Sequence, residues 1–306
     1  MPRVSLYFQE KSTHVLHQTI YSLGRVKHFT FDESPNAHSD YVVTFGVRPT
    51  KSENWWDRVP RSRKIAVLME NPKIFWPSDG YLSEHAVCVT PASLTRANTK
   101  FFYSHGAVPW FYGQHFRTDK GLSHERASDD GTPDLSFHLE RTPVKKTKLL
   151  SLITSTKEAL PGHKLRVSLA RKISDYFGKD NVDLFGFGHN PLARKETAVD
   201  PYLHTIVIEN DFIGSYMTEK ICDALLGFCN PIYLGAPNVQ NFFDGKVDVL
   251  TNKGTTDTEL NEMLKEIRSI VDRSVDQDSI ARNRLNVMLK INLFYHLASI
   301  IDNNLM

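Results

Sequence analysis

Short apolar runs alternate with segments of helical periodicity along most of the chain. Runs of this kind predict buried strands. Strands that alternate with helices form parallel sheets covered by helices, so the sequence predicts an α/β fold. The eight predicted strands are Val4–Phe8, Tyr41–Phe45, Lys64–Met69, Ala86–Thr90, Lys148–Ile153, Val182–Phe185, His204–Ile208 and Asn230–Leu234.

The chain is long enough for two domains, at 306 residues. Residues 117–146 are polar and mixed in charge, and they precede a fresh strand at Lys148, so they predict a linker. We therefore expect an N-terminal domain over 1–140, a second domain over 141–275 and a helical segment over 276–306. Two α/β domains joined in this way place a cleft between them, where ligand sites of such sheets form.

Two apolar stripes at helical spacing predict helices in the last fifty residues. The first stripe comprises Leu260, Met263, Leu264, Ile267 and Ile270, and the second comprises Leu285, Met288, Leu289, Leu293 and Leu297.

Charge and composition narrow the class of protein. A formal net charge of +2 is too small to indicate nucleic-acid binding. We find no apolar run of membrane-spanning length and no signal-peptide pattern, so we expect no integral membrane segment. The three cysteines, Cys88, Cys222 and Cys229, are odd in number and have apolar neighbours, which favours core thiols in a reducing compartment. We expect a cytoplasmic protein, either free or peripheral at the inner face of a membrane.

Residues 206–235 predict a strand, an acidic turn, a helix that begins near Thr218 and a second strand. Thr218 can cap the helix through its hydroxyl, which leaves amide groups and the positive end of the helix dipole for a diphosphate. Lys220 adds a charge that stabilises a departing diphosphate without a metal. Glu219 can accept hydrogen bonds from ribose hydroxyls, and Tyr216 can cover the site. The alternative is a solvated first helical turn with no ligand.

The order of residues in this segment resembles the donor-site signature of the alpha-1,3-fucosyltransferases, glycosyltransferase family 10, in a soluble bacterial form. The matching residues are Glu209, Asn210, Tyr216, Thr218, Glu219, Lys220, Pro231, Ile232, Tyr233 and Gly235. The resemblance implies a GT-B fold, in which two Rossmann-like α/β domains face each other across a cleft, with C-terminal helices. It implies GDP-fucose as donor, bound by the second domain, and an acceptor bound by the first. Glu209, Asn210, Tyr216, Thr218, Glu219, Lys220 and Gly235 would form the donor site.

Upstream of this motif, a predicted strand, a polar loop and a helix place Arg166 near the helix start and Arg171 a little over one turn later. The family has an arginine of similar placement. Arg166 matches it better, with Arg171 as the alternative. In a third interpretation both arginines face solvent or pair with Asp175.

Glu70-Asn71-Pro72 follows the buried strand that begins at Lys64. An acidic residue there is usually a turn former. The family, however, carries its proposed general base in a similar motif, so the resemblance implies that Glu70 is the catalytic base. The implied reaction is a single inverting displacement that forms an alpha-1,3 linkage on an oligosaccharide or polysaccharide acceptor of the N-acetylglucosamine type.

Metal and cofactor signals are weak. The sequence has no His-x-x-x-His or Cys-x-x-Cys pair, and Asp276-Gln277-Asp278 lies in a helical polar stretch, so we predict no required metal or cofactor. The glycine-rich run Leu184–His189 is typical of loops near nucleotides, or else forms a simple tight turn. Two other functions stay open, a GT-B transferase for a different nucleotide sugar and a catalytically silent GT-B binding protein.

Overall fold

A computed structural model describes residues 1–8, 15–50, 53–92, 99–106, 109–115 and 132–305. The first half of the chain forms a seven-stranded sheet in the order β2-β3-β1-β4-β5-β6-β7, parallel except for the antiparallel β2–β3 pair. Its strands are β1 Arg3–Tyr7, β2 Arg25–Val26, β3 Phe29–Asp32, β4 Tyr41–Thr44, β5 Lys64–Val67, β6 Val87–Thr90 and β7 Lys100–Tyr103.

The second half forms a five-stranded sheet, parallel throughout, in the order β12-β11-β10-β8-β9. Its strands are β8 Lys148–Ile153, β9 Val182–Phe185, β10 Tyr202–Ile208, β11 Asn230–Leu234 and β12 Asp248–Val249. All eight predicted strands are confirmed, within two residues at each end.

Helices connect and cover the strands. They are α1 Asp79–Ser83, α2 Leu135–Glu140, α3 Pro161–Phe177, α4 Glu196–Val199, α5 Glu219–Leu226, α6 Asp257–Val271, α7 Gln277–Asn286 and α8 Leu293–Asn304. Five short 3-10 helices lie at Leu16–Gln18, Ile20–Ser22, Trp56–Arg58, Arg61–Arg63 and Val239–Phe242, and a π-helical turn lies at Val287–Ile291. No helix among the residues described above is long and apolar enough to cross a membrane.

The two faces of the second sheet carry separate apolar cores. One core contains the apolar face of α5, and the other contains those of α3 and α6. The predicted α6 stripe is confirmed, because its five residues are buried in that second core. Cys88, Cys222 and Cys229 are free and buried, as predicted for core thiols.

The second predicted stripe is wrong as a single helical face. Met288 is buried against α5, whereas Leu285 and Leu289 are exposed by 49% and 41%. The π-helical turn and the extended backbone of Asn292 (ψ 134°) interrupt the helical period between α7 and α8. After this break, Leu293 and Leu297 pack on the first sheet, so the C-terminal helices contact the cores of both sheets.

The predicted linker falls partly outside the described residues, which resume at 132. Within its second half α2 forms, capped by Asp134. Trp110 and Tyr112, which precede the predicted linker, are buried in the core of the second sheet. The domain limits at 140 and 275 stay predictions.

Candidate functional site

A cavity of about 750 Å3 lies between the two sheets. The carboxyl ends of β8, β9 and β10 reach it from one side, and the segment after β5 reaches it from the other. Parallel sheets bind ligands at this edge because strand ends and helix starts meet there. Of the predicted site residues, seven line the cavity, namely Glu70, Arg166, Asn210, Tyr216, Thr218, Glu219 and Lys220.

The ammonium group of Lys220 lies among three oxygen acceptors at the start of α5. Its Nζ donates to Thr218 Oγ1 at 2.8 Å and lies 3.3 Å from Glu209 Oε2 and 3.4 Å from Glu219 Oε1. Burial lowers the pKa of Lys220, but the Glu219 and Glu209 charges outweigh it, and the pKa is raised above its usual value. Lys220 is therefore a cation held in place, with 24% of its side chain exposed.

Glu209 is fully buried beneath this cation. Its carboxylate accepts hydrogen bonds from the Thr218 backbone N–H at 2.8 Å and from the Thr218 hydroxyl at 2.7 Å. The expectation that the Thr218 hydroxyl caps α5 is therefore wrong. Thr218 is the N-cap residue, but its side chain makes no capping bond, because it donates to Glu209 instead.

Gly235 makes room for Glu209. A Cβ atom at this position would lie 2.3 Å from the Tyr233 hydroxyl oxygen and 2.5 Å from Glu209 Cγ, closer than real Cβ contacts allow. Neither Gly235 nor Glu209 is among the residues that line the cavity. The predicted donor residues thus form two layers, one at the cavity surface and one that supports it.

Arg166 lies in α3, is 6% exposed and lines the cavity. Its guanidinium donates to the Ile208 carbonyl oxygen and, at 2.8 Å, to Asn210 Oδ1. Burial lowers the pKa of Arg166, with the Glu209 charge opposing the shift. Arg171, the alternative, has 73% of its side chain exposed and lies 3.8 Å from Glu158, so Arg166 is the arginine at the cavity.

His163, which sequence reasoning did not single out, also lines the cavity. Burial, reinforced by the positive charge of Arg166, lowers its pKa to about 4. The imidazole is therefore neutral at pH 7. Its Nδ1 accepts a hydrogen bond from the Leu160 backbone N–H at 3.3 Å, which fixes the ring at the start of α3.

Glu70 is exposed at the opposite wall, just after β5. The next residue, Asn71, is fully buried, and its Nδ2 donates to Asp211 Oδ2 at 3.0 Å. Lys73 Nζ contacts the same oxygen at 2.7 Å. These contacts attach the Glu70 loop to the turn after β10. Burial is the main cause of the raised pKa of Tyr216, and the charge of Glu70 raises it further.

Asp223 and Lys195 line the cavity without belonging to a motif. Asp223 Oδ1 accepts backbone hydrogen bonds from Phe111 and Tyr112, both at 2.8 Å, and Oδ2 lies 3.5 Å from Lys195 Nζ. Burial raises the pKa of Asp223 to about 7, although Lys195 opposes the shift. The position of Asp223 inside the otherwise apolar run 221–226 was the signal available in the sequence.

No group of three or more His, Cys, Asp or Glu side chains that could hold a metal ion occurs within the described ranges. Asp276 of the Asp-x-Asp pattern is instead the N-cap of α7, since its carboxylate accepts from the Ser279 backbone N–H at 2.9 Å.

Two largely parallel α/β sheets that face each other across this cleft, followed by C-terminal helices, define the GT-B fold of glycosyltransferases. The chain is similar to an alpha1,3-fucosyltransferase determined with GDP-fucose, with a TM-score of 0.50 and 15% identity over 99% of this chain and 90% of that chain.

Two other solved structures give lower scores. An alpha1,3-fucosyltransferase with GDP has a TM-score of 0.48 and 14% identity, covering 99% of this chain and 90% of that chain. The pneumococcal O-GlcNAc transferase GtfA, in complex with UDP and GlcNAc, has a TM-score of 0.48 and 8% identity, covering 87% of this chain and 57% of that chain. No protein-family model and no curated protein matches the sequence. At these identities the likeness is one of fold alone.

Proposed function

We propose that this chain is an inverting glycosyltransferase that transfers L-fucose from GDP-fucose to a hydroxyl of an oligosaccharide or polysaccharide acceptor of the N-acetylglucosamine type, in an alpha-1,3 linkage. The observation that carries the proposal is that Lys220 and Arg166 line the same cavity as Glu70. The two cations lie on helices of the second half of the chain, whereas Glu70 follows a strand of the first sheet. The donor motif supports GDP-fucose, and so does the fold shared with an alpha1,3-fucosyltransferase determined with that sugar nucleotide.

In this proposal the diphosphate lies against Lys220 and Arg166. Two cations held by protein oxygens are already oriented when negative charge develops on the leaving group, so they stabilise the transition state without rearranging. Neutral His163 adds a hydrogen-bonding group beside them. Glu219 binds ribose hydroxyls, and Tyr216 forms a wall. Glu209, Thr218 and Gly235 fix the position of Lys220 from below.

Glu70 is the general base. As the acceptor oxygen attacks the anomeric carbon, its proton passes to the Glu70 carboxylate. The bond between that carbon and the diphosphate oxygen breaks, and GDP leaves with the electron pair. Because attack and departure occur on opposite faces of the sugar, the configuration inverts. A base that follows a strand of the first sheet and cations on helices of the second half of the chain suit this geometry.

Nucleotide titration calorimetry with GDP, UDP and ADP tests the donor. Binding of GDP well above UDP and ADP is expected, and tight binding of UDP without GDP would support the transferase for another nucleotide sugar. Transfer of labelled fucose from GDP-fucose to a panel of N-acetyllactosamine and polysaccharide acceptors tests the reaction. GDP binding without transfer to any acceptor would favour the silent binding protein.

A cytoplasmic location, free or at the inner face of a membrane, is part of the proposal.

A further inference from the structure

The turn that follows β9 is fixed by two glycines. Gly186 has φ +104°, and a Cβ atom there would lie 2.0 Å from the Thr154 carbonyl oxygen at the end of β8. Gly188 has φ +85°. Only glycine adopts such backbone angles without strain. The glycine-rich run therefore forms a tight turn, one of the two interpretations that the sequence allows. Because this turn lies close to the end of β8, it stands at the edge of the cavity.

Backbone hydrogen bonds close this turn from within. The Gly186 N–H donates to the Asn190 carbonyl at 2.9 Å, the His189 N–H to Gly186 at 3.0 Å and the Asn190 N–H to Leu184 at 3.2 Å. The conformation therefore does not depend on a bound ligand. At its tip, between the two glycines, lies Phe187.

Phe187 is 47% exposed and lines the cavity, whereas its neighbour Phe185 is buried in the core of the second sheet. A rigid turn that holds an aromatic face out of the core provides a flat apolar surface at the wall of the cavity. A nucleotide has one flat aromatic group, its base. Among the residues that line this cavity, the cations Lys220 and Arg166 suit its phosphates.

We propose that Phe187 is the base-stacking residue of the donor site, an inference that rests on the proposed binding of a nucleotide. Stacking on an aromatic side chain is tolerant of base identity, because every base has a π-face. Phe187 therefore contributes affinity for nucleoside diphosphates in general, and discrimination between guanine and other bases comes from groups that contact the base edge.

Calorimetric titration with GDP and with inorganic pyrophosphate, which lacks a base, tests the proposal. Phe187→Ala should weaken GDP binding roughly 5- to 150-fold, the range found for removal of one base-stacking contact. Pyrophosphate affinity, measured by competition, should stay within twofold. Phe187→Tyr keeps the ring and should bind GDP like the native chain. Phe137→Ala removes another exposed phenylalanine, on α2, and is the matched control.

The outcomes distinguish failure of the stacking role from failure of the proposed function. GDP affinity within twofold of native in Phe187→Ala overturns the stacking role and leaves the proposed function intact. An equal loss for GDP and pyrophosphate also overturns it, because the substitution would then act on the phosphate end. If the native chain binds none of GDP, UDP and ADP, the proposed function itself fails.

Discussion

Replacing Lys220 with alanine separates two roles that the structure gives to one side chain. Its ammonium lies 3.3 Å from Glu209 Oε2 and 3.4 Å from Glu219 Oε1, and it lines the cavity. Lys220→Ala thus removes a cation proposed to bind the diphosphate. It also leaves the buried Glu209 carboxylate without a counter-charge at that side. GDP affinity reports the first effect, and the free energy of unfolding reports the second.

The magnitudes follow from the contacts. Loss of one hydrogen bond to a charged group costs about 1.5–3 kcal/mol, so GDP should bind about 10- to 150-fold more weakly at 1.4 kcal/mol per tenfold. Removing one partner of a buried ion pair costs about 3–5 kcal/mol. In Lys220→Ala, however, Glu209 keeps two hydrogen bonds from Thr218, and the lost partner Lys220 is partly exposed. We therefore expect the free energy of unfolding to fall by about 2 kcal/mol.

Titration calorimetry with GDP and urea unfolding measure the two effects on one variant. Adding Glu209→Gln to Lys220→Ala removes the uncompensated charge while keeping an acceptor for Thr218. The double variant should regain most of its stability and still bind GDP weakly. If it also regains GDP affinity, Lys220 acts only by neutralising Glu209, and its phosphate role is refuted. GDP affinity within twofold of native in Lys220→Ala refutes that role directly.

Three further outcomes are expected. Glu70→Gln should abolish fucose transfer while GDP affinity stays within twofold; turnover by a folded Glu70→Gln protein would remove Glu70 as the base. Burial raises the pKa of Asp223 from 3.8 to about 7, so the folded chain holds a proton that the unfolded chain releases, and this residue's contribution to stability falls as the pH rises between those values. The unfolding free energy of Asp223→Asn minus that of the native chain should therefore rise with pH over this range in urea unfolding, and a flat difference would contradict it. Gly162→Ala places a Cβ atom 1.7 Å from the Glu209 carbonyl oxygen and should destabilise the chain by about 3 kcal/mol in urea unfolding. The control Gly80→Ala, where the nearest atom is 3.8 Å away, should stay within about 1 kcal/mol of native, and equal stability of the two variants would contradict the clash.

The strands found from sequence are those with a continuous apolar signal. The strands that the sequence did not predict lack such a continuous apolar signal. The two-residue strands β2 and β12 are too short for any periodicity to be read. The edge strand β7 has no fully buried residue: Lys100 and Tyr103 at its ends are exposed, and the two residues between them are half-buried. It therefore gives no buried-strand signal. In β3, Phe29 and Phe31 alternate with half-buried residues, so a period of two was present, but over only four positions.

The donor motif gave a set of candidate residues but did not predict which of them line the cavity. That division depends on strand register. Ile208 of β10 pairs with Leu234 of β11, so the residues that follow them, Glu209 and Gly235, lie side by side beneath Lys220. No spacing in the sequence states this pairing. His163, Lys195 and Asp223 were missed for a related reason, since they come from three separate elements that only the folded sheet brings to one cavity.

Contacts between the two halves of the chain hold both sides of the proposed reaction centre. Asp211, in the turn before α5, binds Asn71 beside the proposed base, and Asp223, within α5, accepts amides from the segment that follows β7. In the same turn the Ser215 N–H donates to the Pro91 carbonyl at 2.8 Å. The turn and helix that carry Lys220 are therefore also those that contact the first half of the chain. In the proposed reaction these contacts together set the separation between base and leaving group, so the donor motif specifies only one half of the proposed geometry.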